Sequence, residues 1–508
     1  MVLKRRAGVL MHPTSLPGAG GIGTLGQELH CFLDFLNQSG FSLWQVLPLT
    51  PPAAGNSPYS SYSAFAGNTF LIDIDMLIRE GDLPADTPLG TFPADRVDFS
   101  ALLPHKDKLL QQAAANFFAT GQRHRLEEFW HFCDTTFWLH DYALYQALKQ
   151  QYQGVAWSCW PRDIALREPA ACEQASATLG PEIGVQKYLQ WQFSKQWEQT
   201  RSFARSRGIE IIGDLPIFVA YDSADVWCNR HLFLLDSAGC PIEVAGVPPD
   251  YFSSTGQLWG NPLYDWEAMA RDGYAWWIAR FRQLLQQFDL VRIDHFRGFE
   301  AAWQVPATAK TAVDGRWVPG PGAAFFQVVQ DALGDLPFVA EDLGVITPQV
   351  ELLRDQFGMP GMKILQFAFD SDAANPYLPH NHIPHCVVYT GTHDNNTSEG
   401  WAAGLPAHVT RAMTDYLGVS GSDPAGDLIR TTLMSVASTA ILPMQDILGL
   451  PEEARMNLPG TAQGNWGWRM QKQALSDNLS QKWAQLLKRY GRYTSRSSSV
   501  KSCAGNQK

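Results

Sequence analysis

The stretch LVRIDHFRG, residues 290–298, has the pattern of a short buried strand that ends in an acid and runs into a turn. Its apolar and β-branched residues suit a strand that is covered on both faces, as in a parallel sheet. Arg292 precedes Asp294 by two residues, so both side chains point to the same face of that strand. A guanidinium beside a carboxylate favours the ionised form, and Asp294 is therefore predicted to carry a charge.

Seven further apolar runs share this length and are also followed by turn residues. Buried strands that alternate with helices are typical of parallel α/β folds, and eight of them predict a closed (β/α)₈ barrel, the TIM barrel. In chain order the predicted strands are Ala7–His12, Leu43–Pro48, Ile209–Asp214, Leu290–Asp294, Phe338–Glu341, Lys363–Phe367, Cys386–Tyr389 and Ala440–Pro443. Between them, helical periodicity is clearest at Leu25–Ser39, Tyr274–Phe288 and Pro348–Phe357.

Two connections are too long for one loop and helix. Leu126–Gln150 and Val185–Arg207 have the pattern of amphipathic helices, which predicts a mostly helical insertion at about 50–205. The second connection, 220–264, is rich in Gly, Pro, Asp and aromatic residues, which favours a long active-site loop over a plain surface excursion. We expect one catalytic barrel over 1–490, without a C-terminal β-sandwich, and a disordered Ser-rich tail over 491–508.

The overall composition excludes several classes of protein. Hydrophobic residues make up 45% of the chain, but no apolar run is long enough to cross a bilayer. The net charge of −11 argues against broad binding of nucleic acid, which requires a concentrated positive field. The eight cysteines are scattered without the close pairs of a zinc or redox site, so reduced thiols and a cytoplasmic location are expected.

Acids stand at the ends of several predicted strands, in EIIGDLP, LVRIDHFRG, FVAEDLG and VVYTGTHDNN. The carboxyl ends of barrel strands meet at one mouth, so these acids become neighbours around one pocket. Each alone could cap a helix or close a salt bridge. Together they favour a site where one carboxyl group is kept protonated and another ionised, which is what cleavage of a glycosidic bond requires. A Mg²⁺ or Ca²⁺ site is the competing interpretation.

On the glycosidic interpretation, an ionised Asp294 is suited to attack the sugar, and a protonated Glu341 is suited to assist the departing oxygen. His393 and Asp394 would supply charge and hydrogen bonds near the reacting sugar. The aromatic content of 12%, with 18 tryptophans, suits both a hydrophobic core and stacking platforms for sugar rings.

Nine motifs, spread over nearly the full length of the chain, resemble those of one enzyme family. They are HPTSLPG, WQVLPL, NSPYSSYSAFAGN, GDLPIFVAYDSADVW, GVPPDYFSSTGQLWGNPLYDW, VRIDHFRGFE, AEDLG, THDNNT and GNWGWR. In this order they resemble the amylomaltases, or disproportionating enzymes, a family of 4-α-glucanotransferases distantly related to the α-amylases. The resemblance implies transfer of an α-1,4-glucan with retention of configuration. It also implies maltooligosaccharide, amylose or glycogen-derived substrates, with no cofactor or metal ion involved. The net charge and the lack of a long apolar run argue separately against nucleic acid and a membrane as partners.

The resemblance also assigns roles to individual residues. It implies that Asp294 is the nucleophile, Glu341 the general acid/base and Asp394 the acid that stabilises the transition state. It further implies seven substrate-binding residues, namely Tyr59, Asp214, Arg292, His393, Trp259, Phe367 and Asn465. For four of them a structural role stays open: Tyr59 as a packed aromatic, Trp259 as loop core, Phe367 as barrel interior and Asn465 as a turn former.

Three other functions stay open from the residues alone. An α-1,4-glucan hydrolase would use the same intermediate and differ only in what attacks it. A carbohydrate-binding protein without activity would explain the aromatic loops but not the clustered acids. A metal-dependent barrel enzyme would lose activity on chelation.

Overall fold

The computed structural model describes residues 4–249, 253–461 and 463–494, and it confirms the predicted barrel. Eight parallel strands follow one another around a single sheet in chain order, and we number them β1 to β8. Their bounds are Arg6–Leu10, Leu43–Gln45, Glu210–Pro216, Leu290–Asp294, Phe338–Ala340, Gly361–Ile364, Cys386–Tyr389 and Thr439–Pro443. Most residues of these strands are buried, because helices and insertions cover the sheet.

The barrel closes between β5 and β6 with little backbone pairing. The Ala340 N–H donates to the carbonyl of Pro360 at 2.9 Å. Beyond the end of β5, the carboxylate of Asp342 accepts the Met362 N–H at 2.7 Å and pairs with Arg354. Asp342, one of the acids at the predicted strand ends, therefore joins two strands.

The register of the strands brings the other acids to one level of the mouth. Asp214 on β3 lies opposite Arg292 on β4, and Pro216 lies opposite Asp294. On the other side of β4, the Glu341 N–H donates to the carbonyl of Ile293 at 3.0 Å. The end of each strand thus places its acid beside that of its neighbour.

Some predicted boundaries were wrong. The predicted strand Lys363–Phe367 begins two residues and ends three residues too late, because β6 is Gly361–Ile364 and Leu365–Phe367 forms a 3₁₀ turn. The predicted helix Leu126–Gln150 is two helices, Arg123–Thr135 and Leu139–Gln151, since Thr136 adopts an extended conformation (φ −101°, ψ 94°). Amphipathic periodicity continues across this short break and so conceals it.

The helices outside the second β-to-α connection surround the barrel and its mouth. They are Gln27–Ser39, Ala224–Cys228, Trp266–Arg271, Ala275–Gln287, Gly322–Leu333, Pro348–Gln356, Ser398–Ala403, Ala407–Leu417, Pro424–Met434, Met444–Leu448 and Asp477–Arg489. The connection from β2 to β3 carries Ile74–Arg79, Phe99–Thr120, Arg123–Thr135, Leu139–Gln151, Arg162–Ala165, Pro169–Thr178 and Gly180–Ser206. In the part of the chain that the structure describes, no helix is both long enough and apolar enough to span a bilayer.

A separate four-stranded antiparallel sheet lies in the connections that flank β4. Its strands, in spatial order, are Gln257–Pro262, Glu243–Val247, Ala301–Pro306 and Arg316–Pro319. The first two belong to the segment predicted as one long loop, 220–264, of which residues 250–252 lie outside the described ranges. Their partner Ala301–Pro306 follows β4 in the chain, so no local sequence pattern indicates the pairing.

The last described residues pack against the body of the barrel. Arg492 is fully buried and donates hydrogen bonds to backbone carbonyls, including those of Leu433 and Ser435. Residues 491–494 are the part of the predicted tail that is described, and residues 495–508 lie outside the described ranges.

Candidate active site

A series of hydrogen bonds begins at Asp294 and runs into the barrel. Arg292 Nη2 donates to Asp294 Oδ1 at 2.8 Å, which confirms that both residues share one face of β4. Arg292 Nη1 lies 2.8 Å from each carboxylate oxygen of Asp214, and the Tyr59 hydroxyl donates to Asp214 Oδ2 at 2.7 Å. Burial raises the pKa of Asp214, against the opposing charge of Arg292.

The side chains in this series of hydrogen bonds differ in exposure. The side chains of Asp214 and Arg292 are 0% and 5% exposed, whereas that of Asp294 is 29% exposed. Among the described residues, Asp294 Oδ2 has no hydrogen-bond partner. Arg292 therefore fixes one oxygen of Asp294 and leaves the other for a ligand.

Glu341 lies directly after β5, beside Asp294. Its two carboxylate oxygens accept backbone N–H groups, Oε2 from His295 at 2.6 Å and Oε1 from Leu343 at 3.0 Å. Burial, and then the charge of Asp294, raise the pKa of Glu341 to about 8. The site thus holds a carboxyl group that is protonated at neutral pH next to a carboxylate held by an arginine, the pairing that general acid catalysis requires.

The N–H of His295 reaches Glu341 because of an unusual backbone conformation. His295 adopts φ 54° and ψ 49°, in the left-handed region that non-glycine residues rarely occupy. Strained conformations of this kind persist where the surrounding structure enforces them, often at functional sites. Here the conformation connects the residue after Asp294 to the carboxylate of Glu341.

His393 and Asp394 follow β7 and face the same mouth. The ring of His393 stacks on Tyr59 with centroids 4.9 Å apart, and Trp466 packs against both rings. Burial lowers the pKa of His393, so its ring is neutral, with Nε2 3.4 Å from Asp394 Oδ1. Tyr59 therefore stacks on His393 and donates a hydrogen bond to Asp214, and its stacking on a sugar ring stays a prediction.

The other three predicted binding residues, Trp259, Phe367 and Asn465, differ in their contacts. Trp259 is 38% exposed on Gln257–Pro262, and its ring meets His295 edge-on at 4.8 Å. Phe367 packs edge-on against Tyr377 at 5.6 Å. Asn465 uses its amide within a turn, where Oδ1 accepts the Leu458 N–H at 2.9 Å and Nδ2 donates to the carbonyl of Thr461 at 2.9 Å.

Four residues of the site were not singled out from the sequence: His295, Arg455, Asn457 and Trp466. Asn457 Nδ2 donates to Asp394 Oδ1 at 2.6 Å, and Arg455 Nη2 donates to the Asp394 carbonyl at 2.6 Å. His295 and Trp466 lie inside motifs that had been recognised, VRIDHFRGFE and GNWGWR, so a closer examination of those motifs could have found them. Arg455 and Asn457 lie outside every recognised motif.

Comparison with known proteins gives consistent matches over nearly the full chain. Residues 11–475 match the profile of glycoside hydrolase family 77, described as 4-alpha-glucanotransferase. The 4-alpha-glucanotransferase of Synechocystis sp. is 50% identical over 97% of this chain and 99% of its own length. That of Thermus thermophilus is 49% identical over 92% and 95%. The structure of Streptococcus agalactiae amylomaltase in complex with acarbose matches with a TM-score of 0.93 at 38% identity, covering 97% of this chain and 100% of that one.

Proposed function

This chain belongs to the 4-alpha-glucanotransferases of glycoside hydrolase family 77, and from that premise we propose that Asp294, Glu341 and Asp394 carry out a retaining double displacement. The observation that carries this assignment is the contrast between the two neighbouring carboxyl groups. Arg292 holds Asp294 at 2.8 Å, whereas burial and the charge of Asp294 keep Glu341 protonated at neutral pH.

In the first step, Asp294 Oδ2 forms a bond to the anomeric carbon while the glycosidic C–O bond breaks. Glu341 gives its proton to the departing oxygen, so the leaving glucan ends in a neutral 4-OH and Glu341 becomes a carboxylate. In the second step, Glu341 takes the proton of an acceptor 4-OH, whose oxygen attacks the anomeric carbon and displaces Asp294. Each transfer therefore breaks one α-1,4 bond and makes another.

The remaining residues hold the sugar or the catalytic groups. Asp394 and His393 contact the hydroxyls of the sugar that is attacked, and Tyr59 stacks on its ring. Asp214, whose side chain is fully buried, acts through Arg292 and Tyr59. Trp259 and Phe367 line the cleft, and the acceptor contact of Asn465 stays a prediction, since its amide is engaged in a turn.

The proposed substrates are maltooligosaccharides, amylose and glycogen-derived α-1,4-glucans. A related amylomaltase is known in complex with acarbose, which supports a cleft built for glucan-like chains. The cytoplasmic location expected from the sequence stays a prediction.

Incubation with pure maltotriose tests transfer against hydrolysis. We expect glucose together with a ladder of longer α-1,4-glucans, and little gain in total reducing ends, because each transfer remakes the bond that it breaks. Chromatography and a reducing-end assay on the same samples measure both quantities. Conversion to maltose and glucose, with reducing ends rising in step, would identify a hydrolase instead.

Trp259→Ala is expected to shift the balance towards hydrolysis. An acceptor outcompetes water only if binding aligns its hydroxyl, which gives effective molarities of about 10⁵ M or more in favourable cases. Removing the exposed ring beside His295 removes part of that alignment while Asp294 and Glu341 remain. The ratio of new reducing ends to transferred glucose should rise several-fold with maltotriose. Trp130→Ala, which removes another exposed tryptophan from the helical insertion, is the matched control and should leave the ratio unchanged.

A further inference from the structure

The side chain of Asp394 needs contacts from other residues to hold it in one orientation, because it is the more exposed of the two carboxylates that face the sugar. Its side chain is 46% exposed, against 29% for Asp294. Asp294 has an arginine to fix it, whereas Asp394 has no ion pair with Lys or Arg in the described part of the chain. A short, exposed carboxylate occupies several rotamers unless hydrogen bonds select one.

The constraint comes from the segment that follows Met444–Leu448, at Arg455–Asn457. Asn457 Nδ2 donates to Asp394 Oδ1 at 2.6 Å, the shortest contact that this carboxylate makes. The Asn457 N–H donates to the carbonyl of His393 at 3.1 Å, and Arg455 Nη2 donates to that of Asp394 at 2.6 Å. Arg455 Nε also donates to the carbonyl of Asn457 at 2.7 Å. The two segments are thus held together through both backbone and side chain.

Both contacts to the carboxylate, from Asn457 and from His393 Nε2, use Oδ1. Among the described residues, Oδ2 has no hydrogen-bond partner. The donor on Asn457 is an amide, which orients the carboxylate without neutralising its charge. A lysine or arginine in the same place would weaken the attraction between Asp394 and a positively charged transition state.

We propose that Asn457 is a positioning residue, which fixes Asp394 through Oδ1 so that Oδ2 is presented to the sugar in one orientation. This inference rests on the proposed role of Asp394. The segment Arg455–Asn457 is also connected to Trp466, whose N–H donates to the carbonyl of Met456 at 2.7 Å. The Trp466 ring in turn packs on Tyr59 and His393. The segment that contains Asn457 is therefore connected to the aromatic rings around the proposed sugar site.

Two substitutions at Asn457 separate positioning from a general structural role. Asn457→Ala removes the donor, and kcat for maltotriose should fall about 10- to 100-fold, the range for a lost hydrogen bond to a charged group, with little change in KM. Asn457→Asp retains the shape but places a second carboxyl group against Asp394 Oδ1. Two carboxylates so close share a proton, so the pair becomes fully ionised only at higher pH. The acid limb of the pH profile, which is the fall in kcat at low pH, should therefore move to higher pH by about one unit or more.

In the described ranges, the ionisable groups that feel the charge of Asp394 include His393, Arg455 and Tyr59. All three remain in both variants, so a displaced acid limb in Asn457→Asp comes from the new carboxyl group. Asn116→Ala is the matched control, because Asn116 is also half-buried and also donates a long-range amide hydrogen bond, to the carbonyl of Asp82 at 2.9 Å. This control should keep the kcat and the pH profile of the parent enzyme.

Each outcome decides the inference. Parental kcat in Asn457→Ala, or equal losses in both variants without displacement of the acid limb, would overturn it. Asp394→Asn, measured in parallel, keeps the inference separate from its premise. If Asp394→Asn turns over normally, the proposed role of Asp394 fails. If Asp394→Asn is inactive and Asn457→Ala is normal, only the positioning role fails.

Discussion

Asp294→Asn is expected to abolish glucan transfer and to leave the fold intact. The amide is nearly isosteric with the carboxylate but is a poor nucleophile, so kcat should fall on the order of 10⁴-fold or more. Arg292 keeps its contacts of 2.8 Å to both oxygens of Asp214, so its charge stays paired in the variant. Release of glucose from maltotriose measures the loss, and circular dichroism with a thermal melt measures the fold.

Asp415→Asn is the control for Asp294→Asn. Asp415 is exposed on the helix Ala407–Leu417 and should tolerate the same change of charge with unaltered kcat. Calorimetric titration of maltoheptaose into Asp294→Asn should still show binding, because the aromatic and polar contacts remain. Substantial transfer by Asp294→Asn, with its fold intact, would show that the nucleophile lies elsewhere.

Glu341→Gln is expected to be nearly as damaging with ordinary glucans, with a loss of about 10²- to 10⁴-fold in kcat. A glucan donor with fluoride at the anomeric carbon needs no protonation of its leaving group. Such a donor should restore formation of the covalent intermediate in Glu341→Gln, seen as a rapid release of fluoride, and should restore no turnover in Asp294→Asn. Equal rescue of both variants would mean that the two roles are assigned wrongly.

The same residue sets an expected pH dependence. Burial and the charge of Asp294 raise the pKa of Glu341 to about 8, and the first step needs Glu341 protonated. Activity with natural glucans should therefore be retained at neutral pH and fall as the pH rises through about 8. With the fluoride donor, fluoride release by Glu341→Gln should lose this alkaline limb, because the group that titrates is gone. An alkaline limb that persists in the variant would assign it to another residue.

The sequence predicts the barrel and the acids at its mouth because both depend on local patterns. Apolar runs mark the strands, and side-chain alternation alone places Arg292 on the same face as Asp294. The contact between Asn457 and Asp394 spans 63 residues, and that between Tyr59 and Asp214 spans 155. No periodicity encodes such pairs, which depend on how the loops return over the mouth.

Backbone conformation is a second feature that the sequence patterns do not predict. The N–H of His295 reaches Glu341 only because His295 adopts φ 54°, and a histidine after a strand gives no indication of a left-handed conformation. The four-stranded sheet was missed for a related reason, since its central pair, Glu243–Val247 and Ala301–Pro306, is separated in the chain by β4. In both cases tertiary context decides a local structure.

Tyr59 belongs to the helical insertion, and its hydroxyl donates to Asp214, which is paired with Arg292 inside the barrel. This contact makes the insertion inseparable from the barrel. A second hydrogen bond also joins the insertion to the rest of the protein, because the Ala64 N–H donates to Asp225 Oδ2 at 2.7 Å. Excising residues 50–205 and joining the flanking strands would remove the Tyr59 hydroxyl from Asp214, whose carboxylate would keep only its contacts with Arg292. The loss of a buried hydrogen bond to a charged group destabilises a protein. The insertion is thus not a detachable module, and a shortened barrel or a graft of this segment onto another scaffold would have to rebuild that hydrogen bond first.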